Sequence, residues 1–210
     1  YLKAHYPAAF MAATLSSDMD NTDKVHSNYD DTLAQNLTVL PPDINASDYR
    51  FAPVDEKTVA YGLGAIKGTG EAAIINIVAA RNTGGPFKNI FDFCRRVDKR
   101  LVNRRSIEAL IRGGAFDSIS DHRQQIFASL VDALASAEQQ ARAANQNSLF
   151  GDDEGAEMPV QMKEVPYWSL REKLQQEKTS LGFYLSGHPY QEFAEELAPF
   201  IKQRLADVTP

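Results

Sequence analysis

Between Ile66 and Gly70 the chain reads Ile-Lys-Gly-Thr-Gly, and an Ala-rich run follows with Ala73, Ile74, Ile77 and Val78 on one side. This order of residue types suits the capture of a phosphate. Gly68 and Gly70 lack a Cβ, so they reach positive φ and let a ligand approach the backbone closely. A helix that starts just after them adds unpaired N–H donors and the positive end of its dipole. Lys67 adds a full charge at the turn, and Thr69 stands between the glycines. The pattern reads as a helix-hairpin-helix grip on a nucleic-acid backbone, with an ordinary Gly-rich turn as the plain alternative. A nucleotide-binding loop fits worse, because Gly62-x-Gly64 and Gly68-x-Gly70 match neither the phosphate-loop nor the dinucleotide spacing.

A second basic turn lies at Lys99-Arg100-Leu-Val-Asn103-Arg104-Arg105. Paired hairpins of this kind would hold both strands of a duplex through phosphate contacts, which position a nucleic acid without reading it. The turn lacks the glycines of the first, so an exposed helix connection is the competing reading. A third motif, Gln146-Asn-Ser148-Leu149-Phe150, offers an aliphatic and an aromatic side chain to a pocket, with the Gln amide at its rim. The alternative is that Leu149 and Phe150 tack a loop onto the body. Asp18-Met-Asp20 resembles a two-metal carboxylate pair but lies in a cap-rich loop, where helix capping explains it better. His188 sits in a Gly-His-Pro turn and Trp168 reads as a core anchor. No nucleophile–base arrangement and no catalytic residue emerges, and one Cys with four scattered His gives no metal-ligand spacing.

The net charge of −6 argues at first against nucleic acid, but the charges are unevenly placed. From Tyr61 to Arg123 there are 11 Lys/Arg and 6 Asp/Glu, so this stretch is net +5 and the remainder −11. A basic island in an acidic chain can hold phosphates while the rest limits non-specific adhesion. The alternative is a mixed, solvated surface. No apolar run approaches the roughly 18 residues of a membrane span, and no signal peptide is visible. The single Cys94 fits a reducing, cytoplasmic setting. Tyr1 inside a helical run, and an end without a closing element, suggest a piece of a longer chain.

These devices need a helix-rich, mainly α frame with a few short strands. Helices are expected over 1–16, 23–35, 70–81, 89–97, 104–111, 122–144, 169–180 and 191–205, and short strands at 37–40, 49–51 and 58–61. Asn103 should cap the 104–111 helix. Residues 145–162 are polar and acidic and should form a mobile loop.

Ala60-Tyr-Gly-Leu-Gly-Ala-Ile-Lys-Gly-Thr-Gly-Glu71 resembles a hallmark of the alpha-subunit family of bacterial DNA polymerase III, the replicative family C polymerases. Leu40-Pro-Pro-Asp-Ile-Asn45, Phe91-Asp-Phe-Cys94, Val102-Asn-Arg104, Gly114-Ala-Phe-Asp117 and Leu181-Gly-Phe-Tyr-Leu-Ser-Gly-His-Pro189 resemble it too, in the same order. The resemblance implies that residues 1–60 are the later part of the fingers and 61–120 a tandem helix-hairpin-helix region. It implies that 121–162 are a long helix plus a clamp-binding loop, and 163–210 a helical lead into an oligonucleotide-binding barrel. It implies DNA contacts from Lys67, Gly68, Thr69, Gly70, Lys99, Arg100, Asn103, Arg104 and Arg105. It likewise implies docking on the sliding clamp, the beta subunit, by Gln146, Ser148, Leu149 and Phe150, with other polymerase III holoenzyme subunits as partners. The implied reaction is nucleotidyl transfer with two magnesium ions held by carboxylates upstream of Tyr1, so this piece is expected to hold no cofactor and to catalyse nothing alone. The sequence departs from the family at Val25–Asn36, which lacks basic character. It departs again at Thr69, where an aliphatic residue is usual, an exchange expected to weaken the packing of the turn. A stand-alone helix-hairpin-helix repair protein and a helical scaffold remain as alternatives.

Overall fold

A computed structural model describes residues 1–150 and 161–200, apart from the side chains of 144–150. The first expected helix is two: α1, Leu2–His5, and α2, Pro7–Ser17. Proline excludes the residue before it from the α region, and Tyr6 accordingly takes φ −135° and ψ 57°. Asn21 caps α3, Thr22–Ala34, accepting from the amides of Asp23 and Lys24. Asp18 accepts instead from Lys24 and Asn28, a surface tie rather than a metal ligand.

Three short strands form a small sheet of order β1-β3-β2. β1 (Thr38–Leu40) runs parallel to β3 (Thr58–Ala60), and β2 (Ala52–Pro53) antiparallel to it. The strand expected at Tyr49–Phe51 is absent because its backbone faces another segment. Leu63 N donates to Asp48 O and Gly64 N to Tyr49 O, each at 2.9 Å. A Cβ on Gly62 would lie 2.6 Å from Phe51 N, and one on Gly64 would collide with the Tyr49 ring. These two glycines therefore serve close backbone packing.

Helices carry the rest: α4 (Glu71–Gly84), α5 (Ile90–Arg96), α6 (Arg104–Arg112), α7 (Arg123–Phe150) and α8 (Leu170–Leu181). A 3₁₀ turn at Pro189–Glu192 and the short α9 (Ala194–Leu197) replace the long closing helix within the described residues. His188 caps that turn, its Nδ1 accepting from Tyr190 N. α7 continues past the expected end at Ala144, since no Gly or Pro interrupts it before Gly151. The backbone of Gln146–Phe150 is thus helical, not looped. The side chains of these four clamp candidates, and residues 151–160, lie outside the described residues.

One apolar core joins the elements. Phe93 meets Phe87 and Phe116 edge to face, with centroids 4.9 and 5.0 Å apart. On α7, Ile126, Leu130, Ala133 and Ala137 are buried at helical spacing. Trp168 is half-buried against Phe127, with centroids 6.1 Å apart, while neighbouring Tyr167 stacks on His122 at 3.7 Å.

A buried ionic lock ties the later helices. Arg123 grips Asp117 with two bonds of 2.7 and 2.6 Å and donates to the fully buried Glu177 at 2.8 Å. The other Glu177 oxygen accepts from Leu185 N and Ser186 N, both at 2.9 Å. Burial alone would lower the Arg123 pKa; the bonds to Asp117 and the charges of both carboxylates raise it above its ordinary value. The Gly114–Asp117 and Leu181–Pro189 motifs meet at this lock.

Candidate nucleic-acid interface

The first hairpin consists of a 3₁₀ turn at Leu63–Ala65, the Ile66–Gly70 connection and α4. Gly68 has φ +88°, which L side chains rarely adopt, so glycine is required there. Gly70 does not take the positive φ its type allows; it sits at φ −88° as the N-cap of α4. A Cβ at either glycine would meet nothing within 4 Å, so both face open space. Thr69 Oγ1 lies 2.9 Å from Leu63 O and 2.7 Å from Ile66 O. Beside the packing an aliphatic residue would give, Thr69 thus supplies a hydroxyl within donating reach of Leu63 O and Ile66 O, which also accept the amides of Ile66 and Thr69.

The electrostatic outcome is asymmetric. Ile66 O also accepts from Thr69 N, and Gly68 O accepts from Ser106 Oγ at 2.9 Å. Two acceptors of this turn, Ile66 O and Gly68 O, are thus tied up inside the protein. Among the described residues, the amides of Gly68, Gly70, Glu71 and Ala72 donate to nothing, and all four residues are exposed. Together with the α4 dipole they form a run of open donors suited to an anion. Lys67 is exposed beside them, its own amide pinned to Ser180 O at 2.8 Å.

The second hairpin joins α5 to α6 through residues 97–103. Its turn is built by Asp98 rather than by glycine. Asp98 O accepts from Leu101 N and Val102 N, and its carboxylate accepts from Arg100 N at 2.8 Å. Asn103 caps α6 as expected, accepting from Ser106 N at 2.9 Å. The amides of Asn103, Arg104 and Arg105 have no acceptor among the described residues. Asn76 on α4 accepts from Asp98 N at 2.8 Å and holds the second turn to the first hairpin.

Structure divides the basic island into two populations. Arg81 donates to Ile44 O, Ser47 O and Asp48. Arg96 donates to Ala80 O and Gly85 O at the end of α4 and lies over the Phe87 ring. It also pairs with Asp92, as Arg95 does. Burial would raise the Asp92 pKa, yet the Lys88 amide and the two guanidiniums bring it below its ordinary value. These cations, with Arg123, are structural. In the same island Lys67, Lys88, Arg100 and Arg105 make no ion pair among the described residues. Arg104 pairs with Glu108 at 2.8 Å on the surface, and Lys99 reaches back to Leu134 O on α7 at 3.4 Å.

The proposed contact residues are therefore gathered at two adjacent turns, with Asn103 acting as a cap and Lys99 turned toward α7. Ser106, Asn76 and Asp98 escaped the sequence reading. Asn103-x-x-Ser106 carries only a capping signal, and the bond from Ser106 to Gly68 spans 38 residues. Cys94 is no nucleophile candidate, since burial pushes its thiol up to about 12. No group of three or more His, Cys, Asp or Glu among the described residues could hold a metal ion.

Residues 36–126 match the family model of the helix-hairpin-helix motif, which places both turns in a known class of structure. Along its entire length the chain is similar to a segment of DNA polymerase III subunit alpha. It is 52% identical to that protein from Neisseria meningitidis serogroup A, 46% to that from Vibrio cholerae and 43% to that from Escherichia coli. Each alignment covers 100% of this chain and 18% of the relative.

Proposed function

We propose that this chain is the part of a bacterial replicative DNA polymerase that holds the primer–template duplex by its backbone, without reading sequence. The observation that carries this reading is the run of unbonded amides beside unpaired cations at the two turns, with Ile66 O, Gly68 O and Asp98 O bonded internally. Such a surface attracts phosphates, and phosphate contacts position a nucleic acid without reading it. Similarity to DNA polymerase III subunit alpha supports the replicative setting and a cytoplasmic location in bacteria. No helix among the described residues is long and apolar enough to cross a membrane. In this reading nucleotidyl transfer and its magnesium ions belong to other parts of the polymerase. Gln146, Ser148, Leu149 and Phe150 dock on the sliding clamp, and further holoenzyme subunits bind nearby.

Fluorescence anisotropy with a labelled duplex tests the reading. Binding should be indifferent to sequence and fall steeply with salt, and Lys67→Ala or Arg105→Ala should each lower the salt slope by about 1. A chain that binds no duplex at low salt would instead be a scaffold. For clamp docking, Leu149→Ala with Phe150→Ala should abolish retention on an immobilised clamp; undiminished retention would remove that part of the proposal.

A further inference from the structure

Ser106 lies in the first turn of α6 and is 3% exposed. Its hydroxyl points away from its own helix, donating to Gly68 O at 2.9 Å across 38 residues. Asn103 Oδ1, at 3.3 Å, is the more distant neighbour and is already taken by the Ser106 amide. A serine at this position could cap α6 without leaving it, so the bond to the other hairpin is the informative one.

Gly68 has φ +88° and no side chain, and glycine peptides rotate readily. If the Gly68–Thr69 peptide turned over, the Gly68 carbonyl would face solvent beside the open amides. A carbonyl oxygen presents partial negative charge, so that arrangement would repel a phosphate at this turn. The bond from Ser106 holds the carbonyl inward, at the other end of the same peptide from the bond of Thr69 N to Ile66 O. It also fixes the first turn against α6, whose open amides belong to the second hairpin. Asn76 makes a matching tie in the other direction, from α4 to Asp98 N at 2.8 Å.

We propose that Ser106 is a positioning residue that locks the Gly68 peptide and joins the two hairpins into one phosphate-binding unit. It touches no phosphate itself. The inference rests on the backbone-holding reading above and adds to it a mechanism by which two unlike turns act together.

The test is a double-mutant cycle on the 210-residue chain, read by anisotropy with a fluorescein-labelled duplex. Ser106→Ala should weaken binding about fivefold, the usual worth of one hydrogen bond. Lys67→Ala should then cost clearly less affinity in the Ser106→Ala background than alone, because the first turn is already misplaced. Ser106→Cys keeps the buried volume but donates weakly, and it should behave as Ser106→Ala does. If Ser106→Ala proves unfolded by circular dichroism, the cycle with Ser106→Cys decides. Equal costs of Lys67→Ala in both backgrounds would overturn the coupling and leave duplex holding intact. No duplex binding by the unaltered chain would remove the reading of the site, and this inference with it.

Discussion

The two hairpins present similar open amides by different chemistry. The first uses a positive-φ glycine and a threonine hydroxyl that ties down carbonyls, with one cation, Lys67. The second uses side-chain caps, Asp98 for the turn and Asn103 for the helix, with Arg100 and Arg105 unpaired beside it. A glycine turn lets a ligand reach the backbone itself, so little charge is needed. A turn made of L-residues keeps the backbone more covered and is richer in cations. The common feature is a run of unbonded amides beside exposed cations, and the glycine pattern is one of two ways to make it.

The comparison can be broken most forcefully through the support beneath the first turn. Lys67 N donates to Ser180 O on α8, the helix that Glu177 anchors to Arg123. Glu177→Ala leaves a buried guanidinium short of a partner and should cost about 3–5 kcal/mol in urea denaturation. By hydrogen exchange the Lys67 amide should lose protection more than the Asp98 amide, which Asn76 holds. Equal losses at both turns would mean that the hairpins share one support.

Next in size is the difference in turn chemistry. Gly68→Ala forces a left-handed L-residue into open space and should cost about 1–2 kcal/mol from backbone strain alone. Asn103→Ala removes the α6 cap and should cost about 1 kcal/mol. Thermal melts distinguish them when each is combined with a restoring change. Asn103→Asp should recover the second, whereas no L-residue at position 68 except Asn, which tolerates positive φ, should recover much of the first.

The smallest and sharpest test concerns Thr69. Thr69→Val restores the aliphatic character usual at this position but removes the hydroxyl near Leu63 O and Ile66 O. It should destabilise the chain by about 1 kcal/mol. A stabilised variant would return Thr69 to the status of a poor packing choice.

Much of the fold was legible because its signals are local. Asn21, Asn103 and Ser169 cap the helices that follow them, whereas the run expected as one helix over 1–16 is split by Pro7, a local signal that its apolar spacing masks. The expected strand at Tyr49–Phe51 failed because its backbone partners, Leu63 and Gly64, belong to another segment. The end of α7 was misplaced because polar composition was read as a loop, although nothing in the chain stops the helix before Gly151.

By itself, then, the sequence determined the two turns, since a glycine's φ range, a cap and a helix dipole act within one turn of chain. Only the tertiary structure decided which of the basic residues are open to a phosphate. Arg81, Arg96 and Arg123 look no different in sequence from Arg100 and Arg105, yet they are held by carbonyls and carboxylates brought together by folding. The same holds for Ser106, whose partner lies 38 residues away. Such bonds exist only after the chain has closed long loops, and neighbouring residues carry no trace of them.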